Sequence, residues 1–336
     1  MGFEFWMLAL CALLLLVLGL LSFLWLDSDL TLLRAAWMGQ CPEQALADKV
    51  VWITGASSGI GEELAFQLSK LGVCLVLSAR RGQELERVKR RCLENGNLKE
   101  KDILVLPLDL ADTSSHDIAT KTVLQEFGRI DILVNNGGIV HASLFENTNL
   151  DVFKVLIEVN YFGTVSLTKC VLPHMMERKQ GKIVVMNSLV GIVPNPLCSG
   201  YIASKFALRG MKMHLHCYQG SSGFVGALRT ELFDYPGIRL STICPGHVHS
   251  NIFQNFITGE FTKTRLPEIP LFMMETSRCV QLILVSLAND LEEVWIANQP
   301  VLLRAYVWQY VPFRDWILQG CYGKYISKAL GITWYV

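Results

Sequence analysis

Tyr201 and Lys205 stand four residues apart in Tyr201-Ile202-Ala203-Ser204-Lys205, a spacing that puts a phenol and an ammonium on one face of a helix. A free tyrosine titrates near pH 10, too high for easy proton exchange with an alcohol; a neighbouring ammonium favours the phenolate and lowers that value. The pair is a candidate acid–base device. Thirteen residues earlier, Ser188 in Met186-Asn187-Ser188 offers a hydroxyl able to donate to an oxygen on which negative charge builds. A second constellation, Thr54-Gly55-Ala56-Ser57-Ser58-Gly59-Ile60-Gly61, has the glycines a backbone needs to turn tightly, approach a pyrophosphate and pack a helix closely on a strand. Its spacing is G-x-x-x-G-x-G rather than the common G-x-G-x-x-G. Further on comes Ser78-Ala79-Arg80-Arg81, where a carboxylate would hold a free ribose 2′-hydroxyl; two guanidinium groups suit a 2′-phosphate instead. NADP(H) is therefore expected over NAD(H).

Positioning these groups requires alternating strands and helices, and the chain supplies them. Val50 to Thr54 is a continuous apolar run that reads as a buried strand. A helix from Ile60 to Leu71 follows, then a strand Val73 to Ser78 and a charged helix Gln83 to Glu94. A strand Ile103 to Leu108, a helix near Ser115 to Phe127, a strand Ile130 to Val134 and helices through Met176 come next. Later strands are expected at Ile183–Met186, Arg239–Cys244 and Val294–Ala297. Strands separated by helix-length segments pair in parallel through right-handed crossovers, giving an α/β, doubly wound sheet of about seven strands covered on both faces.

With Asn135-Asn136-Gly137-Gly138 after the fourth strand and Asn160 in Val159-Asn160-Tyr161-Phe162-Gly163, the set resembles the short-chain dehydrogenase/reductase family from about Lys49 to Ala297. That resemblance implies a Rossmann-type domain in which Tyr201 donates a proton to a carbonyl oxygen during hydride transfer, and Ser188 hydrogen-bonds that oxygen and so touches the substrate. It also implies that Lys205 holds the nicotinamide ribose hydroxyls and that Asn160 fixes a water relaying protons to Lys205. The cofactor-binding set it suggests is Gly55, Ser57, Ser58, Gly59, Ile60, Gly61, Arg80, Arg81, Asp109, Asn135, Gly137, Tyr201, Lys205, Pro245, Gly246, Val248 and Ser250. The last four lie in Cys244-Pro245-Gly246-His247-Val248-His249-Ser250, where the family clasps the carboxamide. Gly138 departs from the family's usual alanine.

Composition narrows the partners. Thirty basic residues balance thirty acidic ones, so nothing suggests a nucleic-acid surface, and 51% apolar residues exclude a disordered chain. Ten cysteines form no C-x-x-C pair and read as mostly reduced thiols. The alternating His214/His216 and His247/His249 lack the further ligands of a metal site, so no metal is expected. Residues Phe5 to Leu26 contain no charge, and a helix of 22 residues spans roughly 33 Å, enough for a bilayer core. The stretch is longer than the apolar region of a signal peptide, carries Trp6 and Trp25 near its ends, and reads as a transmembrane anchor. Too few basic residues flank it to choose a face. The anchor, the following Asp29-Leu30-Thr31-Leu32-Leu33, the arginine pair, Asn-Asn-Gly-Gly and Gln299-Pro300 resemble a membrane-anchored family member of the endoplasmic reticulum, which implies a single-pass protein of that membrane.

The expected organisation is thus an anchor at 5–26, a linker at 27–48, a catalytic domain at 49–298 and an apolar tail at 299–336. The pocket walls expected at His141–Leu150, Gly191–Gly200 and Ile252–Met274 are apolar and suit a lipophilic carbonyl or alcohol, such as a steroid, retinal or a foreign ketone. The composition fits ordinary core packing as well. Two features depart from the family pattern. Met211 to Gly223 intervene after the Tyr–Lys helix, with the breaker cluster Gly220-Ser221-Ser222-Gly223; they either loop out or disturb the catalytic helix, leaving an impaired nucleotide-binding or interaction protein. The aromatic-rich tail either caps the pocket, lies on the membrane or packs on the sheet. Homodimer formation is left open.

Overall fold

The computed structural model describes residues 5–7, 10–11, 14, 19, 23–209, 223–250, 256–260, 263–264 and 272–311. In chain order its helices are α1 (Leu30–Met38), α2 (Pro42–Leu46), α3 (Gly59–Ser69), α4 (Gly82–Asn95), α5 (His116–Phe127), α6 (Leu150–Ile157), α7 (Gly163–Glu177), α8 (Ser199–Arg209), α9 (Phe224–Glu231), α10 (Thr276–Ala288) and α11 (Val301–Tyr310). The strands are β1 (Val50–Thr54), β2 (Cys74–Ser78), β3 (Ile103–Val105), β4 (Ile132–Asn135), β5 (Gly181–Met186), β6 (Ile238–Pro245), a short antiparallel pair β7 (Phe256–Ile257) and β8 (Lys263–Thr264), and β9 (Glu293–Ile296).

Seven strands form one parallel sheet in the order β3-β2-β1-β4-β5-β6-β9. The order reverses direction between β1 and β4, so a crevice opens there at the carboxyl ends of the strands, where this architecture binds ligands. All of β1 is buried, because helices cover both faces. Val51, Ile53, Leu75, Leu77 and Val134 face the layer of α3 and α10, while Trp52, Val76 and Leu133 face that of α5 and α7. This is the two-residue alternation of a strand. The third strand is shorter than expected, yet Leu106 N and Leu108 N still donate to Leu77 O and Ala79 O at 2.9 and 3.0 Å, continuing the ladder beyond it.

Among the described residues, the helix long and apolar enough to cross a membrane is Leu150–Glu177. It is a core helix: Leu156, Leu167, Val171 and Met175 are buried, the last three against the sheet. The expected anchor falls only partly on described residues.

Residues 27–48 differ from the expected linker. Ser28 pairs antiparallel with Ile296, Asp29 caps α1 by accepting from Thr31 N and Leu32 N at 2.8 and 2.9 Å, and Leu32 and Leu46 are buried in the main core. A capping carboxylate and two apolar residues facing the sheet make this segment part of the domain.

Candidate functional site

The glycine loop between β1 and α3 is close-packed against the Asn-Asn-Gly-Gly turn. Gly55 and Gly59 have φ of +65° and +60°, the left-handed region that favours glycine. A Cβ on Gly55 would stand 2.7 Å from Gly137 Cα, and one on Gly61 would stand 2.4 Å from Gly55 O. Thr54 rivets the two turns: its Oγ1 accepts from Asn136 N and Gly137 N at 3.0 and 2.9 Å, while Asn136 Nδ2 donates to Thr54 O at 2.9 Å. Neither Thr54 nor Asn136 stood among the expected site residues. Their signal was present, as a threonine closing β1 beside a paired asparagine.

Arg80 and Arg81 are exposed at the end of β2, and Arg81 Nη2 donates to Ser57 Oγ of the glycine loop at 3.1 Å. Asp109 is exposed beside them, its Oδ1 accepting from Ala111 N at 3.1 Å. Across the crevice, Ser250 faces the loop closely enough that a Cβ on Gly59 would lie 3.1 Å from its own.

The acid–base groups meet at the ends of β5 and α8. Lys205 is buried; its Nζ donates to Met186 O at 2.8 Å and lies 5.6 Å from the centre of the Tyr201 ring. Burial lowers the lysine to about 8. Burial also raises the Tyr201 phenol above the ordinary tyrosine range, and a hydrogen bond with Ser188 offsets part of that. Desolvation thus outweighs the Ser188 hydrogen bond and, contrary to the expected lowering by the ammonium, the phenol holds its proton. Ser188 Oγ donates to Pro245 O at 3.3 Å and accepts from Val190 N at 3.3 Å. Asn187 fixes α8 from below, its Nδ2 donating to Lys205 O at 3.0 Å.

Asn160 sits in a π-turn, Glu158–Phe162, between α6 and α7, a local widening that frequently marks functional sites. Its side chain is buried and held at both ends: Oδ1 accepts from Ile139 N at 2.8 Å and Nδ2 donates to Ile139 O at 2.9 Å and Ser204 Oγ at 3.0 Å. A Cβ on Gly138 would come within 3.0 Å of Asn160 Oδ1 and 3.9 Å of Lys205 Nζ, so the glycine leaves room beside both.

One cleft of about 540 Å³ joins these parts. Gly55, Ser57, Ser58, Gly59, Ile60, Arg80, Arg81, Asp109, Gly137 and Ser250 line one end; Ser188, Tyr201, Lys205, Pro245, Gly246 and Val248 line the other. Three expected residues stand outside its lining. Gly61 packs under Gly55, Asn160 lies behind Ile139, and Asn135 turns inward to donate to Thr168 Oγ1 at 3.0 Å. The last is a consequence of alternation at the end of a strand: Asn135 faces the helix layer, and Asn136 faces the cleft.

The apolar walls come from Val140, Ala142, Val193, Leu197, Phe256 and Ile257, within or next to the expected segments, and also from Val301 of α11, which brings the charged Arg304 to the lining with it. The part of the tail in α11 therefore caps this end of the cleft. Leu302, Ala305 and Gln309, the buried positions of α11, recur at helical spacing and were the available signal. Arg304 donates to Asn195 Oδ1 and Pro194 O at 2.8 and 2.9 Å. His247 also lines the cleft, and burial with the nearby Arg304 charge pushes it down to about 4, so the ring is neutral. Cys198, three residues before Tyr201, is pushed up to about 11 by burial and is no nucleophile at neutral pH.

Among the described residues no three metal-ligating side chains gather. His214 and His216 lie outside them, as does the intervening segment Met211–Gly223 except Gly223, which caps α9. On either side the fold is intact: α8 runs through Tyr201 and Lys205 to Arg209, which is anchored to Glu293 of β9 at 2.9 and 3.0 Å.

Residues 49–260 match the family model for short chain dehydrogenase. The chain is 64% identical over 320 residues to human dehydrogenase/reductase SDR family member 7, covering 95% of this chain and 91% of that protein. The mouse protein of the same name is 66% identical over 308 residues, covering 91% and 87%. Among solved structures, an alcohol dehydrogenase from the archaeon Thermococcus sibiricus complexed with 5-hydroxy-NADP superposes with a TM-score of 0.59 and 25% identity, over 75% of this chain and 97% of that one. A match over well over half its length, joined by relatives of nearly equal extent, makes the conclusion plain: the chain belongs to the short-chain dehydrogenase family.

Proposed function

We propose that this protein is a membrane-anchored, NADPH-dependent oxidoreductase that reduces carbonyl groups of lipophilic molecules, with Tyr201 as proton donor. The observation that carries the reading is the single cleft with Arg80 and Arg81 at one end and Ser188, Tyr201 and Lys205 at the other. A nicotinamide dinucleotide suits it, because the positive-φ Gly55 and Gly59 and the close packing of Gly55 on Gly137 bring a tight backbone turn to the lining of the cleft. When bound, that cofactor supplies the hydride. The chain's own groups do the rest. Ser188 holds the carbonyl oxygen and stabilises the charge that builds there. Tyr201, kept protonated by burial, releases its proton to that oxygen. Lys205, as ammonium, stabilises the phenolate left behind and, by family resemblance, orients the ribose; Asn160 would fix a water behind it. Arg80 and Arg81 favour a 2′-phosphate and leave NAD(H) the weaker ligand.

The apolar walls favour steroids, retinal and foreign ketones as substrates. The uncharged stretch 5–26 favours a single-pass anchor, and the resemblance to an anchored family member favours the endoplasmic reticulum. The test is NADPH oxidation by detergent-solubilised full-length protein against a panel of steroid, retinoid and aromatic carbonyls, with and without deletion of Met211 to Gly223. Turnover by the full chain supports the reading. Activity only after deletion would make this form an impaired, nucleotide-binding relative.

A further inference from the structure

The two edges of the sheet are finished in opposite ways. Beside β3 stands the charged turn Glu100-Lys101-Asp102, and beside β9 stand α1 and α11. On α1, Leu32 turns inward, while Leu30, Leu33, Trp37 and Met38 face outward, with Arg34 the sole charge in the helix. Trp25 and Trp37 are each 90% exposed, and Tyr310 of α11 is 53% exposed. Tryptophan with apolar neighbours and one basic residue is the composition of a helix lying in a membrane interface.

The chain passes from its uncharged stretch into this edge without slack. Phe23 O accepts from Gln299 Nε2 at 3.1 Å, and the Phe23 ring meets Tyr306 edge-on at 5.5 Å. Leu26 packs on a cluster that includes Leu189, Val193, Trp295 and Leu302. Ala297 N donates to Asp27 O at 3.0 Å, Asp29 N donates to Trp295 O at 2.9 Å, and Arg278 pairs with Asp27 at 2.7 Å. Leu30 N reaches the Tyr306 hydroxyl at 3.4 Å. The helix that walls the cleft is thus bonded directly to the segment leaving the anchor. Because Phe23 and Leu26, the last part of the uncharged stretch, already touch the domain, no spacer separates the anchor from it.

We propose that Trp25, α1 and the outer side of α11 rest on the lipid surface, so that the α11 wall of the cleft stands at the bilayer boundary. This rests on the anchored reading above. A lipophilic carbonyl dissolved in the membrane then has the substrate end of the cleft beside it.

The test uses full-length protein in phosphatidylcholine vesicles, with flotation reporting anchorage independently. A benzoylphenylalanine photo-crosslinker replaces Trp37, Tyr310 or, at the β3 edge, Lys101. Lipid adducts from positions 37 and 310 are expected at about tenfold or more the yield from position 101. If the chain floats but positions 37 and 310 give no more lipid adduct than 101, or give adducts to protein instead, the proposal is overturned while the anchor stands. If the chain does not float, the anchored reading fails and the proposal with it.

Discussion

The nucleotide end and the substrate end of the cleft are built by different means. At the nucleotide end, one strand–turn–helix carries Gly55 to Gly61, and the end of the neighbouring strand carries Arg80 and Arg81; Thr54 and Asn136 tie the turns together over a few ångströms. At the substrate end, Ser188, Tyr201, Pro245, Phe256 and Val301 arrive from five separate parts of the chain, and α11 is held there by residues 23–30, by the cluster around Leu189 and Trp295 and by the loop at Pro194 and Asn195. A binding task common to many enzymes is met by a compact local motif. A task that distinguishes this chain is met by long-range packing.

That contrast can be broken or sharpened by substitution. The largest effect belongs to Tyr201→Phe, which removes the proposed proton donor and should lower turnover by about 10²–10⁴-fold with nucleotide affinity unchanged; retained turnover would remove Tyr201 from that role. Next, Leu32→Ala tests whether residues 27–48 belong to the domain. Leu32 is fully buried, so denaturant unfolding should show a loss of about 2–5 kcal/mol, whereas a true linker would show almost none. Third, Arg80→Ala with Arg81→Ala should weaken NADPH about 10–100-fold through the loss of charge-assisted hydrogen bonds, leaving NADH little changed in titration calorimetry. Equal losses for both would remove the basis of the cofactor preference.

The smallest effect is the pH dependence. Lys205 is lowered to about 8, so it is charged below that pH and neutral above it. Carbonyl reduction, which leaves a phenolate for the ammonium to stabilise, should therefore decline as pH rises through about 8. Because Tyr201 is raised rather than lowered, its own ionisation should not cause this limb. A flat rate from pH 6 to 10 would contradict the assignment.

What the sequence disclosed follows the same division. The alternation of strands and helices, the glycine loop and the Tyr–Lys pair are local patterns, so periodicity and spacing expose them, and the expected seven-stranded sheet is the one observed. Asn135 and Asn136 are harder, since a shift of one residue at a strand end exchanges helix layer for cleft. Residues 27–48 read as a linker because their partners, such as Trp295 and Ile296, lie about 270 residues away. Arg304 lacked any local motif; the folding of α11 over the loop at Pro194 and Asn195 brings the cation to the cleft.

The central claim is hydride transfer from NADPH to a lipophilic carbonyl in this cleft. Its most direct test supplies full-length protein with NADPH deuterated at the transferable C4 position and a steroid or retinoid carbonyl, and follows the product by mass spectrometry. One deuterium on the new carbinol carbon is expected for each NADPH consumed, with labelled product forming about 10²–10⁴-fold more slowly in Tyr201→Phe. Binding of NADPH without any deuterated alcohol from the whole substrate panel would contradict the claim.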